Sequence, residues 1–189
     1  LFSLFLNLLT HHKLMDAAHL HLLLNHFPII GSLIGTLLLA YGFITRSNDV
    51  KVAACILMAV MALTALPVMK TGESAEDTVE NLPGVSEQLI HEHEEAAEVS
   101  LWVMLAAGAL SAISLFLHFT RKQAFKYAVA ATLLLSALSF GFMARTGYLG
   151  GQIRHTEIRG GGAAAGIQNQ GAENPANAGT QNGEHTDDD

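Results

Sequence analysis

The sequence predicts an all-α protein, a four-helix transmembrane bundle followed by a disordered C-terminal tail. Hydrophobic residues make up 50% of the chain and charged residues only 14%, which excludes an ordinary soluble domain. A helix needs about 20 consecutive apolar residues to cross a bilayer. Four stretches approach or exceed this length, and we expect them to be the spans: Leu20–Ile44, Val50–Met69, Val99–Phe119 and about Phe125–Ala144.

The chain divides into three regions of different composition. Residues 17–159 contain the four spans and form the predicted membrane domain. Residues 1–16 open on an apolar run too short to span, and we interpret them as an interfacial extension or a start-site artefact, since Met15 resembles a natural start. Residues 160–189 are rich in Gly, Ala, Asn and Gln, a composition that cannot bury a core, so we expect a disordered acidic tail.

The charges of the connections predict the orientation of the spans. The loops after the first and third spans contain two and three basic residues, whereas residues 70–98 carry nine acids and one lysine. Basic loops face the cytoplasm, so both termini and the acidic connection are expected on the periplasmic side of a bacterial inner membrane. The net charge of −7 disfavours nucleic acid as a partner, and the single cysteine, Cys55, excludes an internal disulfide.

Three prolines predict where helices bend or end. Pro28 removes one backbone hydrogen bond and obstructs the carbonyl of Leu24, so we expect a kink in the first span just below His26. The second span should end around Pro67–Met69. Pro83 and the following glycine should divide the acidic connection into two short helical pieces, of which the second continues into the third span.

Histidines collect at the predicted outer ends of three spans. His19, His21 and His26 open the first span, His91 and His93 precede the third, and His155 follows the fourth. His19 and His26 are seven residues apart and differ by only ~20° around a helix, so both can face one neighbour while His21 points elsewhere. Imidazoles are costly in hydrocarbon unless they face a bundle interior, a cofactor or water, so this cluster is the candidate site.

The first interpretation of the cluster is a b-type haem held by two imidazoles. Ring nitrogens about 4 Å apart on facing helices are needed, with cationic groups for the propionates. His26 and His93 are the expected pair, because His93 shares a helical face with small polar residues, and Arg145 and Arg154 lie where the propionates would emerge. The other candidate ligands are His19, His91 and His155, and a second haem would use His19 and His155.

Two other interpretations of the histidines are open. His91, Glu94, Glu95 and Glu98 fall at i, i+3, i+4 and i+7 on one face of a helix, and imidazole with carboxylate suits non-haem iron, manganese or zinc. Alternatively, the histidines cap helices at the membrane interface and bind nothing. The first alternative predicts a metal-binding or transport-associated membrane protein, and the second predicts a structural role only.

Three motifs in order resemble those of an uncharacterised family of four-helix bacterial membrane proteins, domain-of-unknown-function family 2231. They are His26-Phe27-Pro28 on the first span, His91 or His93 at the start of the third, and Gly150-Gly151 followed by His155. The resemblance covers about residues 17–158, with Asn25 in place of the family's valine. It implies that His26, His155 and one of His91 and His93 act together. The glycines would let the chain turn back over the site.

A function in electron transfer is the prediction that combines these observations. No arrangement of nucleophile, base and acid stands out, so we expect a subunit of a respiratory or redox complex rather than an independent enzyme. Haem b, one or two per chain, would pass electrons near the periplasmic face. The expected partners are the lipid bilayer, other subunits of the complex, the quinone pool, and a basic protein such as a cytochrome c attracted by the acidic connection.

Overall fold

The computed structural model describes residues 17–155, 158 and 159, and this part of the chain consists of helices and short turns without a strand. Its helices are α1 (Ala17–Leu24), α2 (His26–Ile44), α3 (Asn48–Val79), α4 (Glu87–Phe119) and α5 (Phe125–Arg154). Four segments are long and apolar enough to cross a membrane, because α1 and α2 together form the first. The predicted four-span helical fold is confirmed. The predictions for residues 1–16 and 160–189 lie outside the described residues.

The first span is interrupted at Asn25, between α1 and α2. The Asn25 N–H still donates to the carbonyl of His21 at 2.9 Å, so the chain continues in nearly the same direction. Pro28, three residues later, is fully buried and has no N–H, which leaves the carbonyl of Leu24 without its usual helical donor. The interruption lies beside His26, close to the kink that was predicted from Pro28.

Both α3 and α4 are longer than a membrane is thick. With 32 and 33 residues they extend over about 48 and 50 Å, against a hydrocarbon core of about 30 Å. α3 continues as one helix through Pro67 to Val79, beyond the end predicted for the second span at Pro67–Met69. The polar residues after Met69 end the apolar span, but the helix itself can continue because water solvates their side chains. The acidic connection is therefore two helical extensions joined by a short turn at Gly84, whose φ is +79°.

The spans form a closed antiparallel bundle in which each packs against two neighbours. The first span contacts α3 and α5, and α4 contacts α3 and α5. The beginning of α1, the end of α3, the beginning of α4 and the end of α5 consequently meet at one end, which we call the histidine end. At the opposite end, Arg46 and Arg121 adopt left-handed conformations (φ 55° and 56°) that stop the helices before them.

Small residues bring the helices of the bundle close together. Gly108 of α4 lies against Ala62 of α3, and a side chain at this glycine would collide with the methyl group of Ala62. The interior also contains hydroxyl groups, and these are satisfied within the bundle: Ser100 donates to the carbonyl of Ala96 at 2.7 Å, for example. The buried hydroxyl residues are Ser32, Ser100, Ser111, Ser114, Thr132, Ser136 and Ser139.

Gly108→Ala should destabilise the bundle by about 1–3 kcal/mol, because the added methyl group overpacks the contact between α4 and Ala62. The measurement is reversible unfolding of the purified protein in detergent. Gly141→Ala is the matched control, since among the described residues no atom of another helix lies within 4 Å of a methyl group added there, and it should gain up to about 1 kcal/mol from helix propensity. Equal effects of the two substitutions would contradict the close contact.

Candidate functional site

His21 of α1 reaches across to the second span. Its Nδ1 lies 3.0 Å from the carbonyl oxygen of Val68 in α3, and its side chain is half-buried. A carbonyl oxygen only accepts hydrogen bonds, so Nδ1 carries the proton and donates it. In the neutral imidazole, Nε2 then carries a free lone pair.

His93 of α4 repeats this arrangement with the fourth span. Its Nδ1 donates to the carbonyl oxygen of Thr146 in α5 over 3.0 Å. The hydroxyl of Thr146 in turn lies 2.7 Å from that of Ser100 and donates to the carbonyl of Ala96 at 3.0 Å, so this part of the interface is a continuous polar network. Here too the tautomer leaves the lone pair on Nε2.

A glycine lies under each of these two rings. A Cβ added at Gly72 would lie 3.0 Å from Cε1 of His21, and one added at Gly150 would lie 2.9 Å from Cε1 of His93. Each glycine follows the accepting carbonyl by four residues. Because helical side chains lean toward the N-terminus, a side chain at i+4 would cover the carbonyl of residue i. The glycines therefore expose the carbonyls of Val68 and Thr146 to the imidazoles.

The two imidazoles form a pair at the histidine end. Their ring centroids are 6.3 Å apart and the ring planes are nearly perpendicular, at 84°. His21 is anchored on α3 and His93 on α5, so the pair links all four spans. The two rings are therefore held against each other where the four spans meet.

His26 is not the buried partner of His93, which corrects the prediction. Its side chain is exposed, and its Nδ1 donates to the carbonyl of Leu22 in its own helix at 2.9 Å. The prediction chose the wrong face of the first span, because His26 lies about 140° around the helix axis from His21, the residue in phase with the buried positions. His21, which was expected to point elsewhere, is the residue that meets His93. A signal was present in the sequence, since His21 is one heptad before Pro28 and two before Gly35, both buried.

The remaining candidate residues have exposed side chains. His19, Arg145 and Arg154 have exposed side chains, and His91 is exposed beside Glu95, with 3.3 Å between Nε2 and Oε1. His155 is exposed and ends α5, its N–H donating to the carbonyl of Gly151. The turn expected at the glycines after the fourth span is absent, because α5 continues through them to Arg154.

The alternative metal site on α4 does not assemble. In residues 17–155, 158 and 159, no group of three or more His, Cys, Asp or Glu side chains is placed to hold a metal ion. Glu95 and Glu98 are exposed, and Glu94 faces the extension of α3 instead. There it shares a hydrogen bond with Glu76, and this bond, followed by partial burial and the charge of Glu94, raises the pKa of Glu76 above its usual 4.5.

Arg159 is a residue that sequence reasoning missed. Only 6% of its surface is exposed, and its guanidinium donates to the carbonyls of Gln152, Ile153 and Gly84 over 2.7–2.8 Å. It therefore satisfies carbonyls at the end of α5, which have no donor within the helix, and ties them to the turn between α3 and α4. This gives one of the basic residues at the histidine end a structural role.

No family model, curated protein or solved structure matches the chain. The resemblance to the four-helix family stays a prediction, and the geometry of the histidine pair is the basis for the function proposed below.

Gly150→Ala should displace His93 and weaken its bond to Thr146. Leaving a buried donor unpaired costs about 1–3 kcal/mol, against a gain of about 1 kcal/mol in helix propensity. We expect the unfolding free energy of Gly150→Ala to lie about 1–3 kcal/mol below that of Gly141→Ala, and the ¹⁵N resonance of His93 Nδ1 to shift. An unchanged resonance would show that the glycine is not needed for the bond.

Glu94→Gln should lower the pKa of Glu76, because it removes the neighbouring carboxyl that favours the protonated form. Because the pKa of Glu76 is raised in the folded state, the folded protein binds more protons than the unfolded chain. The contact therefore stabilises the fold fully below pH 4.5, and this stabilisation is lost as the pH rises through the folded pKa of Glu76. Carboxyl ¹³C titration measures the shift. Glu73→Gln is the control, as Glu73 pairs with Lys70 at 3.0 Å; an equal response would contradict the specific contact.

Proposed function

We propose that this multi-pass membrane protein binds a b-type haem between His21 and His93 and transfers electrons. The observation that carries the proposal is the pair itself: two imidazoles from different spans, each with Nδ1 held by a backbone carbonyl and Nε2 free to ligate. Ligating histidines generally have their other nitrogen fixed in this way, which orients the ring and raises its basicity.

The number of ligands favours haem over a bare metal ion. A protein-bound zinc or iron ion takes three or four protein ligands, and the described residues offer only two imidazoles at this position. A haem already provides four equatorial nitrogens, so two axial histidines complete its coordination. The donor set therefore fits haem, which when bound supplies a one-electron redox centre.

The break in the first span gives the site a means of opening. His21 and His93 lie close together in the described packing, so a macrocycle enters only if the helices separate at the histidine end. α1 is a short helix that is distinct from α2 and carries His21, and the interruption at Asn25 lies directly below it. We propose that α1 swings about Asn25 to admit the haem while α2 stays packed in the bundle.

The exposed charges at the histidine end support partners on that side. Arg145 and Arg154 are exposed on α5, where they can meet propionates or solvent. The extensions of α3 and α4 present exposed acids, which would attract a basic redox protein such as a cytochrome c. These exposed acids are Glu73, Asp77, Glu80, Glu87, Glu95 and Glu98.

The basic loops at the opposite end support a cytoplasmic location for that end, by the positive-inside rule. We propose that the protein lies in a bacterial inner membrane with the histidine end in the periplasm. We propose that it serves there as a subunit of a respiratory or redox complex, accepting and passing on single electrons.

His21→Ala and His93→Gln should each abolish the b-type absorption band in reduced-minus-oxidised spectra of protein purified from haem-replete cells. His93→Gln keeps an N–H donor for the carbonyl of Thr146, so it separates ligation from the structural hydrogen bond. A pyridine haemochrome assay on the same samples measures the haem content.

His26→Ala is the matched control, because His26 is exposed and bonds only within its own helix in the described structure. It should retain the full band. Loss of the band in His26→Ala alone would restore the original pairing and overturn the assignment of His21. A colourless wild type that contains stoichiometric iron, zinc or copper by elemental analysis would replace haem with a bare metal ion.

A further inference from the structure

Basic side chains without acidic partners collect at the end of the bundle opposite the histidines. The two connections at this end and the helical turns next to them contain a single acid, Asp49. The ion pairs within 4 Å among the described residues join Lys70 to Glu73 and His91 to Glu95, and both lie at the histidine end. The cations at the opposite end, which we call the basic end, are Arg46, Lys51, Arg121, Lys122 and Lys126.

Lys51 is a cation that the fold holds in one place. Its side chain is half-buried, and its stem lies so close to Gly42 that a Cβ added there would approach Cγ of Lys51 to 2.8 Å. Its Nζ lies 4.8 Å from the ring centroid of Phe43 and donates to Oδ1 of Asn48 at 3.5 Å. Neither neighbour is charged, so the ammonium group has a fixed position and no counter-ion within 4 Å among the described residues.

The two connections of the basic end close over the same core residues. Phe43 near the end of α2 and Phe125 at the start of α5 both pack against the buried cluster that contains Leu39 and Val129. Lys126 follows Phe125 directly, in the first turn of α5. The cations of both connections therefore surround one end of the bundle.

The residues next to these cations are suited to the surface of a bilayer. Ile44 and Phe119, the last residues of α2 and α4, are 80% and 71% exposed. Tyr41 and Tyr127 are exposed as well, and tyrosine collects at membrane interfaces because its ring is apolar and its hydroxyl polar. Acyl chains can cover the apolar residues while the head group lies beside the cations that follow them.

From this arrangement we infer that the basic end binds an anionic phospholipid, whose phosphate pairs with the ammonium group of Lys51. A zwitterionic lipid carries its own cation and leaves the charge of the basic end uncompensated, whereas an anionic head group compensates it. The basic loops were used above only to orient the chain in the membrane. The inference concerns a lipid held by the folded protein, and it does not depend on haem.

The test is the affinity of the detergent-purified full chain for phosphatidylglycerol and for phosphatidylcholine with the same acyl chains, measured by native mass spectrometry of the complexes. The two lipids share the tails and the phosphate and differ in net charge. Each basic residue near an anionic head group is worth about fivefold in affinity, so we expect phosphatidylglycerol to bind at least about tenfold more tightly. Equal affinities would show unspecific lipid binding and overturn the inference.

Lys51→Gln should weaken the binding of phosphatidylglycerol about fivefold and leave that of phosphatidylcholine unchanged. Lys126→Gln, on the other connection, should act in the same direction. Lys70→Gln is the matched control, because it removes the same charge at the histidine end, where Lys70 pairs with Glu73 at 3.0 Å. An equal loss in Lys70→Gln would assign the preference to net charge and overturn the basic end as the site.

Glycerophosphoglycerol, the head group without acyl chains, separates a lipid site from a site for a soluble anion. A large molar excess of it should leave phosphatidylglycerol bound, because the acyl chains on the exposed apolar residues contribute to the affinity. Displacement of the lipid by this compound would assign the cations to a soluble phosphate ester and overturn the lipid as the occupant.

Discussion

Access to backbone carbonyls is the constraint on which the histidine end depends. In a bilayer an imidazole must find a hydrogen-bond partner inside the protein, and the carbonyls of a regular helix are covered by the side chains of the following turn. Gly72 and Gly150 remove that cover at two points, so His21 and His93 reach Val68 and Thr146. This arrangement of a histidine, a carbonyl and a glycine occurs once between the first two spans and once between the last two.

This anchoring has a chemical consequence as well as a structural one. A carbonyl can only accept, so both rings are held in the tautomer that leaves Nε2 unprotonated and available as a ligand. Because each histidine is anchored on a different neighbour, the relative positions of four helices set the distance between the rings. A shift in the packing near Val68 would consequently move His21.

The helices end differently at the two ends of the bundle. At the opposite end, Arg46 and Arg121 have left-handed backbone conformations, and the chain turns there within a few residues. At the histidine end, α3 and α4 continue as charged extensions, and Arg159 fixes the end of α5 to the turn between them. Most acids on these extensions are exposed, and Glu76 and Glu94 contact each other across the two helices.

The sequence by itself determined the number of spans, the break near His26, the inward-facing side of α4 and the end at which the histidines collect. These depend on hydropathy, proline and helical periodicity, which act locally along the chain. Only the tertiary structure decided that His21, rather than His26, meets His93. That choice depends on which face of the first span packs against its neighbours and on where Gly72 exposes a carbonyl on a different span. The length of α3 beyond Pro67 was likewise not predictable, because the apolar pattern ends with the membrane and the helix does not.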